Sequence, residues 1–405
     1  MLVFPVLLLP ITRSLNMPLE QILPKSFLMY LLYGLLAIPW GFLSDHISPR
    51  VMMGSGMILA GGGFLISGLI KDPAFLSFSL ALVGIGCAAY HPAGLSMISK
   101  GLKSRGKALG LNGIFGNLGI ASAPFAAGVL NYALGWQATL LVLGGTGIAV
   151  GIVNLIVPFS VERDSDKQRG SEMKKGNVLK LFIALCAVVT VSGLLYRGFT
   201  LILPSYLEIR LSAAFDGIYT ALQRAGETGV LSSEQGSLFA AVIAGCAYLV
   251  GMLGQWVGGK LADRFDLKKA YFAFGLLAMP FLLLFRFGTG FGLIAYAGMF
   301  TFFTLGLQPI ENSMFAMLTP PRWRSVAYGV KFTLSFGIGS LSVFLVTQVQ
   351  NRWNIEAVVL LLVGYLAAII LFITILNVLG RNQELRHVNT VVNDKPSEIP
   401  EAKAL

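Results

Sequence analysis

Charged residues are scarce in this sequence. Asp, Glu, Lys and Arg make up 12% of its 405 residues, about half of the roughly 25% typical of a soluble domain. Apolar residues make up 55%, more than a water-soluble core can bury, so the chain is predicted to lie in a lipid bilayer. The three cysteines (Cys87, Cys186 and Cys246) lie in apolar runs without metal-ligand spacing. Neither a disulfide framework nor a metal or cofactor site is therefore expected.

Acidic residues are the scarcer charge, with 19 Asp and Glu against 30 Lys and Arg and a net charge of +11. The basic residues lie in short loops between apolar runs, which is typical of membrane topology and does not indicate a nucleic-acid partner. No phosphate-binding loop or ATP-hydrolysis motif is present, because glycine-rich stretches such as 61–63 lie inside apolar runs. Any transport is therefore expected to be secondary, driven by an ion or solute gradient.

Apolar runs of about 20 residues predict membrane-spanning helices. The first run, 1–12, is too short to span, and we interpret it as a truncated first helix. With that partial run the pattern predicts an all-α membrane protein of twelve helices. The eleven full runs are 26–43, 51–70, 74–97, 108–132, 137–158, 179–204, 236–258, 270–287, 290–317, 326–349 and 355–379.

A short motif occurs twice, at 41–50 and at 259–269, and reads Gly-x-Leu-[Ser/Ala]-Asp followed by basic residues. Its glycine is expected to let two helices pack closely, and its aspartate to face a helix N-terminus or a basic partner. Two copies so widely separated indicate two related six-helix halves. The expected divisions are a first half at 1–158, a linker at 159–178, a second half at 179–379 and a disordered tail at 380–405.

The second half carries about 24 extra residues within 205–235, judged from the spacing between Pro204 and Gly259 against that between Pro10 and Gly41. The segment 213–219 inside it is mildly amphipathic. It is predicted to form an inert surface helix, with a lid as the alternative.

Basic residues also indicate the orientation. With the linker and the tail on one side, 21 of the 30 Lys and Arg residues fall on that side, seven on the other, and two (Arg197 and Lys331) within spans. The positive-inside rule then places the linker and the C-terminus in the cytoplasm.

Two six-helix halves that each carry Gly-x-Leu-[Ser/Ala]-Asp between their second and third helices resemble the major facilitator superfamily. Residues 81–86, followed by Tyr90, His91 and Pro92, resemble the branch that contains fosmidomycin-resistance-type efflux proteins. The resemblance implies a monomeric rocking transporter in a bacterial inner membrane, with one central site between the halves. It also implies a cytoplasmic gate built from the doubled motif: Gly41, Asp45, Arg50, Gly259, Asp263, Arg264 and Lys268.

Two departures from the resemblance concern the proton-coupled drug antiporters of that superfamily. Leu80 stands where those antiporters carry an arginine, and 123–128 lacks the double glycine of their fifth-helix signature. Both argue against drug–proton antiport.

Ionisable groups inside spans cost about 2.5–3.5 kcal/mol each on insertion scales, so they are candidates for substrate binding or ion coupling. Arg197 suits an anionic substrate group, although snorkelling to the interface is the alternative. Lys331 and Glu311 form either a structural ion pair or part of a cavity.

His91 suits proton coupling, or it stabilises a kink beside Pro92. Neutral candidates for the cavity wall are Asn112 and Gln308.

The leading prediction is a secondary transporter of a small organic solute, working as an exporter by alternating access, with H⁺ as the expected coupling ion. The alternatives are an organic-anion uptake symporter, favoured by Arg197 and Lys331 among few intramembrane acids, and a non-transporting scaffold or sensor that keeps the fold. An enzyme is not expected, because the spans contain no clustered polar constellation.

Overall fold

The structure is a computed structural model and describes residues 1–43, 47–70, 72–91, 94, 105–157, 178–224, 233–319 and 324–381, without the side chains of 105–114, 212–224, 233 and 324–325. Its α-helices are α1 (Val3–Leu15), α2 (Leu19–Ile22), α3 (Phe27–Leu35), α4 (Ala37–Leu43), α5 (Pro49–Leu69), α6 (Pro73–Ala88), α7 (Arg105–Ile156), α8 (Val178–Arg224), α9 (Ser233–Arg264), α10 (Leu267–Phe287), α11 (Gly290–Leu318), α12 (Arg324–Phe332), α13 (Ser342–Arg352) and α14 (Ile355–Leu379). A 3₁₀ turn at Leu23–Ser26 joins α2 to α3, and a π-helical turn (Thr333–Gly337) followed by a 3₁₀ turn (Ile338–Leu341) joins α12 to α13.

Nine helical stretches among the described residues are long and apolar enough to cross a membrane. One of them, Phe115–Ile156, bends at Gly135, whose φ of 81° and ψ of 165° are not helical, and therefore provides two crossings. With the shorter apolar helices Val3–Leu15 and Pro73–Ala88, the described residues contain twelve apolar helical segments. Six belong to the first half (α1–α7) and six to the second half (α8–α14), which agrees with the predicted all-α fold.

The repeat is visible in how the third helix of each half begins. The Ser48 side chain accepts a hydrogen bond from the Val51 main chain at the start of α5. Asp266, in the second copy of the motif, accepts from the main chains of Lys268 and Lys269 at the start of α10. Both are N-cap residues that satisfy donors left free at a helix start. The two motif copies therefore lead into equivalent helix starts.

Helices within each half pack through glycines. In the first half, a methyl group on Gly61 would meet the main-chain oxygen of Gly144, and one on Gly54 would meet Leu155. In the second half, Gly254 and Gly258 of α9 lie against the α11 backbone, where a side chain would not fit. The prediction that the motif glycine Gly259 packs closely is wrong, because no described atom beyond its own stretch of helix lies within 4 Å of the Cβ it would carry. The close approach is made by its neighbour instead.

The extra residues of the second half continue a membrane helix. α8 runs without interruption from Val178 to Arg224, well beyond the predicted span end at 204. The segment 213–219 is therefore the distal part of α8 and does not form a separate surface helix. Residues 225–232 lie outside the described part of the chain.

The two halves meet along several helices, and two of these contacts are close. In the first, Gly34 of α3 lies directly against the π-helical turn at Gly337, and the Thr333 hydroxyl donates to the Gly34 main-chain oxygen at 3.2 Å. In the second, α7 meets α9, where Gly128 faces Ala241. Side chains that line this interface can therefore change their environment when the halves move relative to each other.

Candidate functional site

Arg197 is the buried cation at the interface between the halves. It lies on α8, its residue surface is only 3% exposed, and its guanidinium carbon lies 3.6 Å from the ring centroid of Tyr30 on α3. This is a cation–π contact, which is strongest where both groups are shielded from water. None of the ion pairs among the described residues includes Arg197, and its Nε has no hydrogen-bond partner. The structure therefore places Arg197 in the protein interior.

His91 belongs to an aromatic cluster between the halves, formed by Tyr33, His91, Phe332 and Phe336. The imidazole stacks on Phe332 with ring centroids 5.1 Å apart and an interplanar angle of 13°. Phe332 in turn stacks on Phe336, which contacts Tyr33 at 4.9 Å. Two of these rings come from the first half and two from the second. His91 is therefore held by packing across the halves.

Lys331 and Glu311 form an ion pair inside the second half. Lys331 Nζ lies 2.8 Å from Glu311 Oε1, and both side chains are about 5% exposed. Lys331 also donates to the Asn312 side chain, and the Tyr271 hydroxyl donates to Glu311 Oε2 at 3.2 Å. Each buried charge thus has its opposite and a further hydrogen bond, as such pairs require. Of the two expectations for Lys331 and Glu311, this geometry agrees with the structural ion pair, because each charge is paired with the other.

Gln308 lies on α11 beside a small cavity of the second half. Its side-chain oxygen is assigned as the acceptor of a 2.8 Å hydrogen bond from Gln255 on α9. The cavity is lined by side chains of α8, α9 and α11, including Tyr196, Thr200 and Tyr248. Asn112 lies on α7, but its side chain is outside the described part of the structure. Of these two neutral candidates, Gln308 is therefore the one whose described side chain contributes a polar group to the interior.

Two basic residues of the doubled motif bind main-chain oxygens of their own half. Arg50 donates from Nε to Asn154 at 3.1 Å and also to Leu155, at the end of α7. Lys268 is buried and donates from Nζ to the Gly380 oxygen at 2.6 Å, just after α14. Neither contact crosses to the other half.

The remaining motif residues lie near helix ends or outside the described residues. Asp263 and Arg264 are exposed at the end of α9, and no ion pair among the described residues includes Asp263. Gly41 lies on α4. Asp45 lies outside the described residues. Because Asp45 lies outside the described residues, the gate formed by the two motif aspartates stays a prediction.

Sequence reasoning missed a polar cluster that joins the halves at the far end of α1. Arg13 of α1 forms an ion pair with Glu208 of α8. Ser237 of α9 accepts a 3.1 Å hydrogen bond from Arg13 and donates at 2.7 Å to Glu208. The apolar pattern assigns Arg13 to a loop and places Glu208 beyond the predicted end of its span. A hydrophobicity window cannot reveal such a cluster, because the three residues are distant in sequence.

The chain matches the Major Facilitator Superfamily over residues 1–341. The probable L-galactonate transporter of Escherichia coli (strain K12) is 28% identical over 148 residues, which are 36% of this chain and 32% of that protein. The chain thus matches about a third of the length of that curated relative.

Similar solved structures cover almost the whole chain. A bacterial homologue of the human lysosomal transporter Spinster, inward-facing and occupied, has a TM-score of 0.69 and 15% identity over 94% of this chain and 92% of its own. A mutant of the nucleoside transporter NupG has a TM-score of 0.70 and 13% identity over 93% and 96%. A peptide transporter, POT, in complex with sulfate has a TM-score of 0.68 and 14% identity over 94% and 91%. At these identities the likeness concerns the fold.

Proposed function

Because this chain belongs to the major facilitator superfamily and is a membrane transporter and not an enzyme, we propose that it carries a small organic anion by alternating access. In this proposal Arg197 binds the anionic group of the substrate. The observation that carries the proposal is the burial of Arg197 without an opposite charge among the described residues.

A buried cation without a counter-charge is costly. Charged side chains at the centre of a membrane helix cost about 2.5–3.5 kcal/mol on insertion scales. The ring of Tyr30 offsets part of this cost through its negative face. An anionic substrate adds the missing charge, and a guanidinium can bind a carboxylate through two parallel hydrogen bonds. The unpartnered Nε of Arg197 is one donor for such a contact.

The position of Arg197 also suits alternating access. It lies on α8 of the second half, and its nearest aromatic partner, Tyr30, lies on α3 of the first half. Transporters with two repeats bind their substrate at the interface between these repeats. A ligand bound here touches both halves and changes contacts when they rock.

The relative with 28% identity supports an anion, because L-galactonate is a carboxylate. The match covers 148 residues, so it supports the class of substrate and not the compound.

A second candidate is the export of an amphiphilic compound. The aromatic cluster of Tyr33, His91, Phe332 and Phe336 favours it, since such rings bind apolar ligands without requiring a charge. The resemblance of Tyr90, His91 and Pro92 to the efflux branch favours export as the direction for either substrate.

The remaining parts of the proposal concern topology and coupling. We place the linker and the C-terminus on the cytoplasmic side of a bacterial inner membrane, because basic residues concentrate there. We further propose that the doubled motif forms the gate at that side, as the family resemblance implies, and that H⁺ is the coupling ion. The support for H⁺ is His91, a titratable side chain that lies between the halves. The described contacts of Arg50 and Lys268 within their own halves give these two residues a fastening role beside the gate.

The test is a thermal-shift screen of the purified protein with pairs of compounds of similar size, such as galactonate with galactose and benzoate with benzamide. A ligand present at 100 times its Kd stabilises by about 2.7 kcal/mol. We expect anions to raise the Tm while their neutral partners do not. Any anion found is then tested for uptake and release in proteoliposomes.

Arg197→Gln removes the charge and Arg197→Lys keeps it, so we expect the anion shift to be lost in the first variant and weakened in the second. Arg210→Gln is the matched control, because Arg210 lies on the same helix and pairs with Glu356 at 2.6 Å within the second half. The proposal is contradicted if anions and neutral compounds raise the Tm equally, both in the wild type and in Arg197→Gln. That result favours amphiphile export. If the protein is folded but no compound raises its Tm and none is transported into proteoliposomes, the transport proposal is contradicted. The non-transporting scaffold is then favoured.

A further inference from the structure

We infer that Arg13, Glu208 and Ser237 form the gate that closes the end of the transport path opposite the linker. The inference rests on the alternating access proposed above, but not on the identity of the substrate. It assigns a state-dependent role to three residues that lie far from the doubled motif.

The three side chains form a closed set of contacts. Arg13 reaches Glu208 through one guanidinium nitrogen and Ser237 through the other, at 3.1 Å. Ser237 uses its hydroxyl hydrogen for the second oxygen of Glu208, at 2.7 Å. Glu208 and Ser237 are 8% and 3% exposed, whereas 40% of the Arg13 side chain is exposed. The carboxylate is therefore buried and depends on these two partners.

The cluster lies at the end of the bundle away from the linker. α8 begins at Val178, directly after the linker, and Glu208 lies much further along the same helix. At a rise of about 1.5 Å per residue the two positions are about 45 Å apart, the full thickness of a bilayer with its headgroups. Arg13 lies in the last turn of α1, where it meets this end of α8.

The ion pair of Arg13 and Glu208 differs from the other ion pairs in joining residues of different halves. Of the four ion pairs among the described residues, three lie inside the second half: Arg210 with Glu356, Lys268 with Asp266, and Lys331 with Glu311. Arg13 with Glu208 is the one that joins the two halves. When the halves rock as rigid bodies, pairs within one half persist, while this pair must separate for its end to open. It therefore favours the state described by the structure, as a contact made in one of two states does.

The neighbouring charges do not replace Arg13. Arg210, two residues along α8, bonds to Glu356 and to the main-chain oxygen of Gly288. Glu234, at the start of α9, is exposed and has the same sign as Glu208. If Arg13 moves away, Glu208 keeps the Ser237 hydroxyl as its one hydrogen-bond partner among the described side chains, and Ser237 lies in its own half. Opening this end is therefore opposed by a buried carboxylate that loses its cation.

The test measures the two ends of the protein separately by double electron–electron resonance in liposomes. In a background of Cys87→Ala, Cys186→Ala and Cys246→Ala, spin labels at Asn16→Cys and Glu234→Cys report on the gate end. Labels at Ile156→Cys and Leu179→Cys report on the linker end. All four positions are exposed.

We expect Arg13→Gln and Glu208→Gln each to raise the ratio of long to short distances at the gate end at least about fivefold. At the linker end, the ratio of long to short distances should fall. The exchanged pair Arg13→Glu with Glu208→Arg restores the ion pair and should return the distribution toward that of the wild type.

The matched control is Arg210→Gln with Glu356→Gln, which removes an ion pair of the same helix inside one half. It should leave both distance distributions unchanged. The inference is overturned if the gate variants keep the wild-type distribution, or if the control shifts it as much. Because no ligand is added, failure of the Arg197 proposal leaves this result unaffected, and a failed gate leaves the anion screen interpretable.

Discussion

Arg50 and Lys268 belong to different copies of the doubled motif and form the same kind of contact in the two halves. Arg50 donates to the main-chain oxygens of Asn154 and Leu155, and Lys268 donates to that of Gly380. The last carbonyls of a helix carry partial negative charge, so a cation there is stabilising. Each base thus fastens the third helix of its half to the end of the sixth.

Lys268→Gln should lower the free energy of unfolding by about 1.5–3 kcal/mol, because hydrogen bonds to charged groups contribute that much. Lys268 is 4% exposed, so its replacement also leaves the Gly380 oxygen without its donor. Lys269→Gln is the control, since Lys269 is the next residue and its side chain is exposed. Denaturation in detergent provides the measurement, and equal loss in both variants contradicts the fastening role.

Gly34→Ala should destabilise the described arrangement by about 1–3 kcal/mol, as overpacking does. The added methyl group would lie under 3.0 Å from backbone atoms of Phe336 and Gly337 in the other half. Gly62→Ala is the control, because no described atom beyond its own stretch of helix lies within 4 Å of its added Cβ, and alanine favours a helix over glycine by up to about 1 kcal/mol. Tm values for the two variants should move in opposite directions. A Tm that does not fall for Gly34→Ala indicates that the halves do not meet tightly at Gly34.

Lys331→Met and Glu311→Gln should each cost about 3–5 kcal/mol, because either change leaves a buried charge without its partner. The two changes together should cost less than the sum of the single changes. A double-mutant cycle from unfolding free energies measures this coupling. Purely additive effects would show that the 2.8 Å pair does not act as a unit.

Tyr30→Leu should weaken binding of any anion that Arg197 recognises, whereas Tyr30→Phe should largely keep it. The ring face holds the guanidinium at 3.6 Å, and a shielded cation–π contact contributes about 2 kcal/mol, or roughly thirtyfold in Kd. Isothermal titration with the anion found in the screen compares the two variants. If phenylalanine and leucine weaken binding equally, the hydroxyl and not the ring is what positions Arg197.

Much of the fold could be predicted because its signals are local. Apolar runs located the membrane helices, and the doubled motif located the two halves. The error in α8 arose because Pro204 and the polar residues after it resemble a span end, whereas the helix continues to Arg224. Proline and polar residues inside a helix are tolerated where neighbouring helices satisfy the backbone. The prediction for Gly259 failed for a related reason. The rotation of α9 about its axis determines which of its glycines meets α11, and the sequence does not reveal that rotation.

The candidate site was predictable only in part. Arg197, Lys331 and Glu311 were found because a charge inside an apolar run is visible in the sequence. The partners across the interface were not, since Tyr30 lies in the opposite half from Arg197, and Glu208 in the opposite half from Arg13.

The amino-acid sequence was sufficient to predict that this protein lies in a membrane, that it has two related halves and that few charges enter its interior. These properties follow from composition and periodicity, which act on each segment separately. The contacts between helices were needed to show that Lys331 is neutralised by Glu311, that Arg197 is not paired among the described residues, and that Arg13 forms an ion pair with Glu208 of the other half. The reason is physical: whether a buried charge is available to a ligand depends on what the other helices place within about 4 Å of it.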